Sequence, residues 1–157
     1  MSIVQMPEAI SGLVRIILHG TDEAKQHAAG ALAHLAVNEE AESVIVRSEG
    51  VLDALAVLLT SGTEDAKEEA AAALENLSYS ADSAGLVAQT NDLVCGLAML
   101  LHTGKGKAIE NAIGALQNLA VLADCRIEIA STPRLLINIA NVMWSGSPKA
   151  QVRCSKF

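Results

Sequence analysis

The side chains able to do chemistry in this chain are few and scattered. Glu23, His27 and His34 fall on one helical face, and their types could ligate a metal. The two imidazoles are seven residues apart, however, and two helical turns set about 10 Å of rise between them, too far to share one ion. Cys95, Cys125 and Cys154 are widely spaced with no CxxC pair, so neither a zinc site nor a disulfide framework is expected. The sequence has no GxSxG, no Walker glycine loop and no HExxH. His19 and His102 stand at helix ends, where an imidazole suits the dipole, and the acidic run Glu64–Glu69 reads as a helix start favoured by the same dipole. Cys95, beside Gly96, reads as a small core residue, and Asn138 and Asn141 as polar surface. Catalysis, metal binding and cofactors are not expected. Hydrogen-bonding and charge recognition are the chemistry that remains.

What positions those groups is a repeat. Gly12-Leu13 lies over Ala54-Leu55 and Gly96-Leu97 at a spacing of 42 residues, and Gly20, Gly62, Gly104 and Gly146 follow the same register. So do Ala28, Ala70 and Ala112, then Leu32, Leu74 and Leu116. Between 12–37 and 96–121, 11 of 26 positions are identical without a gap, which makes the period real. Each unit has a short apolar piece (Ser43–Arg47, Arg126–Ala130), closed by turn residues, then a helix of about three turns ended by the register glycine. Those glycines are expected to be left-handed caps. A longer helix follows, opened by Thr21-Asp22-Glu23, Thr63-Glu64-Asp65 or Ser147-Pro148. Its Ala24, Ala28, Ala31, Leu32 and Leu35 mark a buried stripe that one unit cannot cover alone, so neighbours must stack.

Composition agrees. The chain is 51% hydrophobic yet holds one Trp, one Tyr and one Phe, so its apolar mass is aliphatic, rich in the helix formers Ala and Leu. A net charge of −7 gives no basic footprint for nucleic acid. The charge-free stretch from Leu135 to Pro148 is too short and too rich in Asn, Ser and Gly to span a bilayer, and residues 1–5 lack the features of a secretory signal.

A short, a medium and a long helix repeating at 42 residues resemble the armadillo repeat. Gly114-Ala115-Leu116-Gln117-Asn118-Leu119-Ala120 and Ala72-Ala73-Leu74-Glu75-Asn76-Leu77-Ser78 are similar to the family's ALxNLA signature, and Val44–Gly50 to its xxIVxxG. The resemblance implies an all-α, right-handed solenoid: a partial first repeat at 1–42 lacking most of its short helix, repeats at 43–84 and 85–126, and a truncated fourth at 127–157. It implies that Ser2-Ile3-Val4 falls within the first short helix and that the chain comes from a longer array. The resemblance also implies a concave groove lined by long helices, in which Asn76 and Asn118 match the family's peptide-binding Asn and His34 replaces it. Glu23, His27, Asp65, Glu69, Lys107 and Asn111 share that arc. The Trp that nuclear-import adaptors carry four residues earlier is replaced by Gly30, Ala72 and Gly114, so a nuclear-localisation-signal receptor is not expected. The reading is a cytoplasmic or nuclear scaffold for an extended, modestly basic protein segment, with self-association through uncapped ends. The alternative is the substrate-recruiting part of a larger enzyme such as a U-box ubiquitin ligase.

Overall fold

Segments rich in Ala, Leu and Glu, broken only at threonine, serine and glycine joints, have little choice but to coil locally and pack their alanine faces together. The computed structural model describes residues 6–156, and the expectation for Ser2-Ile3-Val4 lies outside them. Among the described residues every regular element is an α-helix: α1 Met6–His19, α2 Asp22–Leu35, α3 Glu39–Arg47, α4 Val51–Ser61, α5 Glu64–Leu77, α6 Ala81–Ala88, α7 Asn91–Thr103, α8 Lys107–Ala120, α9 Ala123–Ser131, α10 Leu135–Ser145 and α11 Pro148–Cys154.

The period shows directly in these bounds. Helices α2, α5 and α11 begin at 22, 64 and 148, and the short helices α3, α6 and α9 at 39, 81 and 123. Caps fix the starts. The Thr21 hydroxyl accepts from the Ala24 N–H at 3.3 Å, Thr63 from Ala66 at 3.2 Å and Ser147 from Ala150 at 3.2 Å. The third unit has Lys105 and Gly106 there instead. Gly106 turns at φ 48, without a side-chain cap, and α8 starts one residue late at Lys107.

Helices of each class pack on their own kind. The long helices α2, α5, α8 and α11 form one row, the medium helices α1, α4, α7 and α10 a second, and the short helices α3, α6 and α9 a third. The core runs unbroken between rows: Leu32, Leu74 and Leu116 are each 0% exposed, as are Leu77 and Leu119. At about 1.5–3 kcal/mol for each fully buried leucine, the stack rests on interfaces between units rather than within them.

Three expectations need correction. The register glycines are not left-handed: Gly62, Gly104 and Gly146 have φ of −72, −75 and −73 with extended ψ. Each donates its N–H to the carbonyl four residues back, Gly62 to Leu58 at 2.9 Å, and then leaves extended to set the next cap. A Cβ on Gly20, Gly62 or Gly104 would lie 2.6 Å from that same carbonyl oxygen, so lack of a side chain is what the joint requires. The left-handed corners fall instead before the medium helices, at Gly50 (φ 77) and at its equivalent two units on, Arg134 (φ 63). Second, Cys95 is exposed on the outer face of α7 while Cys125 and Cys154 are buried, Cys154 with its thiol pKa pushed up by that burial. Third, Asn138 is buried, and its amide donates to the Ala98 carbonyl of the preceding medium helix at 2.9 Å; Asn141 is on the surface.

Candidate functional site

Long helices laid side by side bring equivalent residues into rows. One row opens the helices: Glu23, Asp65 and Lys107, all exposed. A turn later come His27, Glu69 and Asn111, and near the helix ends His34, Asn76 and Asn118. His27 is exposed, 3.8 Å from the Glu23 carboxylate, and His34 is exposed in the last turn of α2. Among the described residues no group of His, Cys, Asp or Glu could hold a metal ion, and no single helix is long and apolar enough to cross a membrane.

The asparagines do something sequence does not display. The last carbonyls of a helix have no partner within it. In α2, Leu32 is met by the Ala36 N–H, while the Ala33 carbonyl is met by the Asn76 Nδ2 of the next unit at 2.8 Å. Asn118 repeats the contact onto the Glu75 carbonyl at 3.0 Å and also reaches the Ser78 hydroxyl at 3.4 Å. Two turns earlier, Asn111 donates to the Glu68 carbonyl at 3.4 Å, and Arg153, at the same register, to the Glu110 carbonyl at 2.9 Å. All four ties reach back 43 residues, one more than the period. Each is worth about 1 kcal/mol net. An amide held through its nitrogen still carries its oxygen, and Asn76, with one tie, a second donor as well, so the tie fixes the plane in which these are presented.

The small residues at the arc's centre are covered by charge. The Glu69 carboxylate lies over Gly30, where a Cβ would come within 3.1 Å of its oxygen. Glu75 and Arg153, paired at 2.6 Å, lie over Gly114. Gln117 donates to the Arg153 carbonyl from the same helix as Gly114. Sequence reading passed over Glu75, Gln117 and Arg153, although Arg153 stands one period beyond Asn111.

Two carboxylates join neighbouring units from below. Glu42, only 4% exposed, accepts from the Ser80 hydroxyl at 2.9 Å. Glu110 accepts from Ser147 at 2.9 Å and pairs with Lys149 at 3.1 Å. Burial pushes the Glu110 carboxyl up, but the Ser147 bond, Lys149 and the charge of Arg153 outweigh it and hold the group below the usual carboxylate range.

Just past the long helices, Val37, Tyr79 and Val121 recur every 42 residues and are 74%, 87% and 71% exposed. Val37 and Tyr79, with Asn76, Glu39 and Glu42, border a hollow of about 560 Å³. Their signal was legible: an apolar or aromatic residue one or two steps beyond each of these long helices, where a polar one would be ordinary.

An armadillo/beta-catenin-like repeat model matches residues 41–79. An engineered protein of known structure superposes with a TM-score of 0.86 at 26% identity, covering 94% of this chain and 61% of that one. A designed armadillo repeat protein in complex with a (KR)4 peptide also reaches 0.86, at 20% identity over 95% of this chain and 62% of its own. Computationally designed armadillo repeat proteins for modular peptide recognition give 0.86 at 21% identity, with 95% and 63% covered. This chain thus spans about three fifths of the length of the structures it matches. No curated protein sequence matches it. The fold is an all-helical armadillo-repeat solenoid.

Proposed function

We propose that this solenoid is a protein-interaction scaffold that holds an extended peptide along the trough between its long helices. The observation that carries the reading is the amide row. Asn76 and Asn118 are equivalent, half-buried, and anchored to the preceding unit through the amide nitrogen, Asn76 by one bond and Asn118 by two, so their amide oxygens recur at a constant step. An extended main chain offers paired N–H and C=O groups at a regular step too, and an amide can meet both. His34 stands at the first position of the row, where an imidazole can donate or accept. The designed armadillo proteins of the same fold support a peptide as partner. Armadillo solenoids are in general binding scaffolds rather than enzymes.

The test is selection of linear peptides on the immobilised chain, followed by anisotropy titration against wild type and Asn76→Ala/Asn118→Ala, with circular dichroism to check folding. The expected result is retention of helical content with affinity down at least tenfold. Selected peptides that bind the folded double variant as tightly as wild type would remove the amide row from the site.

A further inference from the structure

Charge is not spread evenly along the stack. Residues 1–84 carry 14 acidic and 4 basic side chains, a net of −10, whereas residues 85–157 carry 4 acidic and 7 basic, a net of +3. A solenoid converts position in sequence into position along its axis, so this asymmetry becomes a field running from one end to the other.

The structure shows the switch at equivalent positions. The row at the start of the long helices reads Glu23, Asp65, Lys107, Lys149, and all four are exposed. The row one turn on reads His27, Glu69, Asn111, Arg153. A second comparison comes from the other end of the same helices. The hollow beside Asn76 is bordered by Glu39 and Glu42, and a hollow of about 550 Å³ two units further along is bordered by Arg126 and Lys156. Glu42 and Arg126 are separated by two periods, so one position carries opposite charge in the two hollows. Opposing charges exist, among them exposed Arg15 and Arg47 in the first half and Asp92 and Asp124 in the second, and some are answered locally. Lys67 is half-buried and pairs with Glu64 at 3.1 Å; Glu110 pairs with Lys149 and Glu75 with Arg153, which offsets those two bases as well and leaves Lys107, Arg126 and Lys156 as the exposed bases of this surface. Lys25, half-buried on α2, leaves the first unit acidic beside Asp22 and Glu23.

We infer that the partner of this trough is a charge-segregated segment, basic where it lies over α2 and α5 and acidic where it lies over α8 and α11. This rests on the peptide-binding reading and deepens it. Like charges set against either half would be repelled, so segregation selects the partner and its placement. Neighbouring helices about 9 Å apart place the four long helices over about 27 Å, which an extended chain crosses in about eight residues.

The experiment uses three fluorescent peptides of about twelve residues with identical composition. One has lysines in its first half and aspartates in its second, with serines between; one has the halves exchanged; one alternates the same lysines and aspartates along its length, with the same serines between. Because the direction of the bound chain is free, the expected result is that the better of the two segregated peptides binds about tenfold tighter than the alternating one at low salt, and that the gap closes near 0.5 M salt. Lys107→Glu/Lys156→Glu, two exposed positions, is expected to abolish the preference while keeping the fold. Equal binding of all three peptides overturns the segregation and leaves peptide binding standing. Failure of these and of all library-selected peptides to bind brings down both readings. Salt-dissociated oligomers of the chain alone in sedimentation would assign the field to self-assembly and overturn the proposal as well.

Discussion

Glu110→Gln tests how the last two long helices are joined. The wild-type carboxylate sits among Ser147, Lys149 and Arg153, and Ser147 is also the N-cap of α11. The amide keeps the volume and an acceptor for the Ser147 hydroxyl, and loses the charge. A hydrogen bond to a charged acceptor contributes about 1–1.5 kcal/mol more than a neutral one. Lys149 is 67% exposed, so its share is screened to about 0.5 kcal/mol. The substitution is therefore expected to cost about 2 kcal/mol, roughly 30-fold in the opening of α11. The pH dependence has a definite sign. Because the folded carboxyl titrates below its ordinary value, its contribution is full above the unfolded value near 4.3 and is lost as pH falls through the folded one. Native-state hydrogen exchange over Pro148–Cys154 should show faster opening in the variant at pH 7, and the two proteins should converge in acid. Equal exchange at pH 7, or a difference that persists below both titrations, would refute the assignment.

Other outcomes follow from single contacts. Gly96→Ala should destabilise by about 1–3 kcal/mol, read as a lower thermal midpoint, because its Cβ would meet Leu59 of α4 at 3.0 Å in a buried seam. Arg134→Gly should stabilise by about 1 kcal/mol in urea unfolding, since a left-handed backbone at φ 63 suits glycine and strains arginine. Maleimide labelling of the native chain, followed by mass spectrometry, should modify Cys95 well before the buried Cys125 and Cys154.

Phase was what sequence conveyed best. Threonine and serine at 21, 63 and 147, and leucine at 32, 74 and 116, carry their structural meaning in their type: a hydroxyl caps, an aliphatic chain buries. What stayed hidden depends on partners that have no type. Asn138 was expected at the surface because its acceptor is the main-chain oxygen of Ala98, and any residue there would offer the same atom. Cys95 was assigned to the core by size, yet it shares the outer face of α7 with exposed Met99. The glycine joints were recognised as glycine positions for the wrong reason, since crowding by a carbonyl and a positive φ leave the same letter in the sequence. On the long-helix surface, the rows were legible from spacing, but the covering of Gly30 by Glu69 and of Gly114 by Glu75 and Arg153 required three-dimensional neighbours.

The ties that reach back 43 residues have one more implication. Their acceptors are peptide oxygens, present at every residue, so a donor in one unit makes no demand on side-chain identity in the unit before it. A duplicated or deleted block of one period would meet the same acceptor geometry at its new boundary. These ties therefore let the array lengthen or shorten by whole units without re-matching donor to acceptor, unlike the side-chain pairs of Glu42 with Ser80 and Glu110 with Ser147, which need both partners.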